Sequence, residues 1–163
     1  MVKTYPMPAI FNNIPGDDRT NEEIISGLEA MNVWVPSYVR KVIADANESV
    51  PPVGTVYRLS VVCGDDLPLD RRSGTEQIFA AVSESERVGR PPLRAALLLQ
   101  ERLFRERLWA NIVVMNEPVD DCVLALSRED GQSYILAFNA KPGDNWPCKD
   151  VLFTFLALQP LQG

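Results

Sequence analysis

Residues 91–109, Pro-Pro-Leu-Arg-Ala-Ala-Leu-Leu-Leu-Gln-Glu-Arg-Leu-Phe-Arg-Glu-Arg-Leu-Trp, constrain the fold more than any other stretch of the chain. At 3.6 residues per turn they predict one amphipathic helix of about five turns. Leu93, Ala96, Leu97, Leu99, Leu103, Phe104 and Leu108 share a broad apolar face, with Arg94, Glu101, Arg102, Arg105 and Glu106 opposite. Pro91 and Pro92 suit a first turn, where a missing N–H costs nothing. Gln100 and Arg107 fall inside the apolar arc, so each must find a polar partner or reach out to solvent.

The remaining patterns are assigned around this helix. Pro6, Pro8, Pro15 and Gly16 make residues 1–19 an extended arm, and residues 20–163 are expected to form one α+β domain. Thr20 and Glu23 have the spacing of a capping box, so a helix starts there with Ile24, Ile25, Leu28 and Met31 inward. A second helix runs from about Pro36 to Asn47 on Val39, Val42, Ile43 and Ala46. Residues 54–63 read as a strand, and Ser73 and Glu76 as a second capping box before a short helix on Ile78, Phe79 and Val82. Residues 112–115, 122–127, 133–139 and 151–158 then form a meander, with a hairpin turn at Asp130-Gly131. The last run is apolar on both faces, as in a central strand or one covered by a helix or a subunit. The expected architecture is α+β: N-terminal helices, then one long central amphipathic helix packed on a mainly antiparallel sheet of about five strands ending in the C-terminal meander.

Composition excludes several function classes. The chain has no histidine, which removes the commonest general base and most catalytic zinc sites. No dinucleotide, P-loop or EF-hand pattern is present. No cofactor and no metal is expected. The net charge of −6 opposes nonspecific attraction to nucleic acid or to an anionic membrane surface. No apolar run approaches the ~20 residues of a membrane span, and the N-terminus lacks a signal-peptide pattern, so a cytoplasmic location is expected. Cys63, Cys122 and Cys148 cannot all pair within one chain and lack metal-ligand spacing, and buried free thiols are expected.

Three residues are candidates for ligand binding. Arg58 alternates with apolar residues on a strand; inside a cavity between sheet and helix it would need an internal carboxylate or an anionic ligand, and on an open sheet face it would need neither. Arg107 interrupts the apolar arc of the long helix. Trp146, in the Pro/Gly-rich loop 141–148, is either a lid over the core or a binding anchor. The Glu84-Ser85-Glu86 triplet reads as a charge pair on a solvated helix end.

The element order, with early helices, a strand, more helices and a terminal meander, is loosely similar to the cone-shaped α+β folds of the NTF2-like kind, which host both enzymes and binding modules. Two functions follow as expectations. One is a small acidic protein that binds another macromolecule without catalysis, in the manner of an immunity, antitoxin or adaptor protein, its acidic turns steering basic partners. The other is a pocket protein or simple acid/base enzyme in which Arg58 anchors a small anionic ligand. The apolar arm and final strand also predict a homodimer.

Overall fold

The structure, a computed structural model, describes residues 4–5, 14–67, 72–84, 87–108, 111–141, 146–147 and 151–158. Among these residues four α-helices and an eight-stranded mixed sheet give an α+β fold.

The N-terminal helices form where the sequence places them. Helix α1 (Asn21–Ala30) starts at Thr20, whose Oγ1 accepts the Glu23 N–H while the Glu23 carboxylate accepts the Thr20 N–H. Each of these side chains satisfies a backbone donor that would otherwise be orphaned. Helix α2 (Ser37–Ala46) buries Val39, Val42 and Ile43 at helical spacing and ends on Asn47 in a left-handed conformation. Helix α3 (Thr75–Ser83) starts one residue later than its expected box. Gly74 is the N-cap, and the Gln77 side chain, not Glu76, accepts the cap N–H at 2.9 Å.

Helix α4 (Leu93–Arg105) corrects the long helix expected over residues 91–109. It has 13 residues and is one of four helices, not a single long central one. Both prolines lie before it, with Pro92 at the N-cap. Its C-terminus closes in a Schellman motif. The Leu108 N–H reaches the Leu103 carbonyl at 2.9 Å, the Arg107 N–H reaches the Phe104 carbonyl at 3.2 Å, and Arg107 takes φ of 56° between them. Leu108, expected in the core, is therefore exposed.

The sheet also differs from the expected five-stranded, mainly antiparallel meander. Its strands are β1 (Thr4–Tyr5), β3 (Val33–Trp34), β5 (Leu59–Cys63), β7 (Val88–Gly89), β8 (Ile112–Val114), β9 (Cys122–Glu129), β10 (Gln132–Asn139) and β12 (Leu152–Ala157). The order is β1-β5-β12-β8-β9-β10-β3, with β7 pairing the end of β12 on the edge opposite β5. Strands β8, β9 and β10 form the meander, but β12 returns to lie between β5 and β8, parallel to β8, and β3 joins parallel to β10. An all-apolar strand is most stable where both faces are covered, and the place beyond β10 is taken by β3. Short strands β2 (Ile14–Pro15) and β4 (Val56–Tyr57) pair with each other, as do β6 (Arg72–Ser73) and β11 (Trp146–Pro147).

The expected strand over residues 54–63 is thus split at Arg58 into β4 and β5. The hairpins do follow the sequence. Asp130 and Gly131 take φ of 51° and 79°, and Asp120 and Asp121 take 52° and 59°, which are the left-handed values that two-residue turns require.

Two apolar clusters pack on the two faces of the sheet. On one, α1, α2 and α4 cover Leu59, Val61, Ile112, Val114, Leu124, Leu126 and Ile135. On the other, Ile78 and Val82 of α3 cover Val62, Val113, Phe153 and Phe155. The final strand is therefore covered on both faces within one chain. Cys63 and Cys122 are free and half-buried rather than buried; Cys148 lies outside the described residues.

Candidate functional site

The densest polar cluster surrounds α4, on the side that helical projection assigns to solvent. Arg94 is only 2% exposed and Glu101 only 7%, because residues 14–21 run along that side of the helix. Ile14 is buried with the core, and the chain then passes Asp17, Arg19 and Asn21 over the helix. The Arg94 Nη2 donates to the Asp17 carbonyl at 2.7 Å and lies 3.3 Å from the Asp17 carboxylate, and Nη1 donates to Asn21 Oδ1 at 3.3 Å. Among the described residues the buried Arg94 Nε has no hydrogen-bond partner.

Arg19 grips Glu101 with both terminal nitrogens, each at 2.8 Å, in the two-pronged geometry a guanidinium offers a carboxylate. Its Nε also donates to Asp17 at 2.9 Å. These hydrogen bonds from Arg19 hold both the Asp17 and the Glu101 carboxyls below the usual carboxylate range, against the opposing effect of burial. The two carboxylates in turn hold the Arg19 guanidinium more firmly protonated than usual.

The N-terminus of α4 is closed by Glu48. Its carboxylate accepts the Leu93 N–H at 2.7 Å and the Arg94 N–H at 2.9 Å, in place of the side-chain cap that Pro92 cannot provide. Asn21 Nδ2 donates to the same carboxylate at 3.3 Å, which ties α1 to this helix end. Burial pushes the neighbouring Tyr57 phenol up, with Arg94 opposing the shift. Two grooves flank the cluster. One, of about 340 Å³, is bounded by Glu48, Tyr57, Pro92 and Arg94; the other, of about 350 Å³, by Asp17, Arg19, Glu101, Arg102 and Arg105. Neither groove is lined by Arg58 or Arg107.

The residues singled out from the sequence lie apart from this cluster. Arg58 is exposed at the break between β4 and β5, where its carbonyl accepts the Ala157 N–H at 2.8 Å. The side chain does not enter a cavity between sheet and helix. Arg107 is also exposed, because the helix has ended before it. Trp146 stands in β11, paired through its backbone with Ser73; residues 142–145 and Cys148 lie outside the described residues.

Arg94, Arg19 and Glu48 were missed because the partners that tie them into the cluster, Asp17 for Arg94, Glu101 for Arg19 and the Leu93 N–H for Glu48, are distant in sequence. One signal was present: the six arginines between Arg87 and Arg107 face only two glutamates there, so their carboxylates had to come from elsewhere. The acidic turn Asp17-Asp18 supplies one of them.

A second surface is aromatic. Trp34 of β3 is 55% exposed and meets Tyr134 of β10 edge-on, with ring centres 5.3 Å apart. Phe138, four residues along β10 and on the same face, is 41% exposed. Among the described residues no group of three or more Cys, Asp or Glu side chains is placed to hold a metal ion, and no helix is long and apolar enough to cross a membrane. No protein-family model, curated protein or solved structure matches the chain.

Proposed function

We propose that this acidic protein acts by binding another macromolecule, without catalysis, in the manner of an immunity, antitoxin or adaptor protein. The observation that carries this reading is how the cluster around α4 is satisfied. Its buried arginine and its buried carboxylate are paired with groups of the same chain: Arg94 with Asp17 and Asn21, and Glu101 with Arg19. The helix N-terminus, a ready anion site in other settings, already holds Glu48. Such a cluster fixes the chain around the helix, and its buried carboxylate and the terminal nitrogens of its buried arginine are met by groups of the same chain. Among the exposed large side chains, Trp34 and Phe138 are aromatic and lie on the sheet, and aromatic residues are enriched in protein contact surfaces.

The competing reading, a pocket in which an arginine anchors an anionic ligand, is tested by thermal shift with a panel of small carboxylates and phosphates. Wild type, Arg58→Met and Arg107→Met should all keep the same midpoint with and without each anion. Stabilisation of wild type by one anion, abolished by either substitution, would overturn the binding-protein reading, because a ligand that binds only the folded state must stabilise it.

A further inference from the structure

The outer face of β9, β10 and β3 has the chemistry to hold one kind of partner. Alternation along β10 places Tyr134, Leu136 and Phe138 on this face, and the register sets them opposite Ser127, Ala125 and Val123 of β9. Trp34 extends the row across β3, opposite Tyr134. The face is therefore aromatic at both ends, with the small Ala125 leaving Leu136 half-covered between them.

Charge distinguishes the two ends. At the Trp34 end, Glu129 shares the face by alternation, and Asp130 stands in the adjoining turn; both are exposed. Arg128, between them and the rest of β9, belongs to the opposite face. At the Phe138 end the charges are mixed: Lys41 holds Asp120, and exposed Asp121 and Lys141 lie near by. An exposed indole on a face that carries a carboxylate two strands away, with a second in the adjoining turn, attracts a cation twice, through the negative π face of the ring and through the carboxylates. The chain uses the first of these contacts itself, with Arg90 lying 4.3 Å over the Phe79 ring.

We propose that this face docks a basic segment of another protein, one arginine or lysine lying on the Trp34–Tyr134 pair beside Glu129 and Asp130, and an apolar residue packing on Leu136 and Phe138. The proposal rests on the macromolecule-binding reading and gives it a surface and a partner chemistry.

The probe is fluorescently labelled nona-arginine, titrated by anisotropy at low ionic strength. Wild type should bind it saturably. Trp34→Ser and the double variant Glu129→Lys/Asp130→Asn, in which asparagine keeps the left-handed turn position, should each weaken binding by about tenfold, the loss of one cation–π contact or its flanking charges. Trp34→Tyr should retain most of the affinity, and Asp18→Lys, on the segment before α1, should retain all of it. These substitutions are at exposed positions, and unchanged thermal midpoints confirm that each variant is folded. No binding by wild type, or equal weakening by Asp18→Lys and the face variants, would overturn the proposal. So would sedimentation showing that the face variants turn a wild-type dimer into monomers, since the occupant would then be a second copy of the chain. Failure of the wider reading looks different: it appears as anion-dependent stabilisation in the thermal-shift panel, whatever nona-arginine does.

Discussion

Glu101 is a carboxylate placed inside the protein and held there by the two nitrogens of Arg19, with Arg105 at 3.8 Å as a weaker second cation. Its folded pKa lies below the ordinary value because the Arg19 hydrogen bonds favour the ionised form. Between the folded and unfolded values the native state binds fewer protons, so the stability this group supplies is complete above the ordinary carboxylate range. It is lost as pH falls through the depressed value. Asp17 shifts the same way, also chiefly through Arg19. Wild type should therefore exceed Glu101→Gln in thermal midpoint at neutral pH, and the gap should close below about pH 4. A gap that persists unchanged in acid would contradict the ion pair. At this scale the sequence was least informative. Gln100 fell, as expected, inside the buried side of the helix, but Arg94 and Glu101 were assigned to solvent. A helical projection knows the faces of one helix and not the chain that covers them, and residues 17 and 19 approach α4 from far away in sequence.

At the scale of elements, local chemistry was more legible. The Thr20 capping box, the buried stripe of α2 and the Asp130-Gly131 turn form as their residues dictate. Each depends on neighbours within four residues, which is why each could be read. The end of α4 could not, because its left-handed position carries Arg107 where glycine is the usual signal. An arginine there retains the steric penalty of a Cβ in the left-handed region. Arg107→Gly should therefore raise stability by about 1 kcal/mol, while Arg107→Met should leave it unchanged. Chemical denaturation measures both, and a loss of stability in Arg107→Gly would contradict the Schellman closure. The expected strand over residues 54–63 failed for a related reason. Its alternation is continuous, but β4 pairs with β2 and β5 with β1 and β12, so the chain changes partners at Arg58.

At the scale of the whole molecule, the fold class was legible and the pairing of strands was not. Composition and element order gave α+β, but no local pattern told that β12 would return between β5 and β8 or that β3 would join beyond β10. Those pairings decide which surfaces remain open. They enclose the apolar final strand and leave the Trp34, Tyr134 and Phe138 row at the other end of the sheet. The same topology brings residues 14–21 onto α4, where the cluster closes on itself. On the proposed reading this cluster is bound from within and holds the chain together, and function is left to the surface. A double-mutant cycle of Arg19→Met and Glu101→Gln, measured by urea denaturation with and without added phosphate, tests it most directly. The expected result is a coupling of about 2 kcal/mol at neutral pH that phosphate does not change. Additive effects, or a coupling that phosphate removes, would contradict it and make the cluster an anion site.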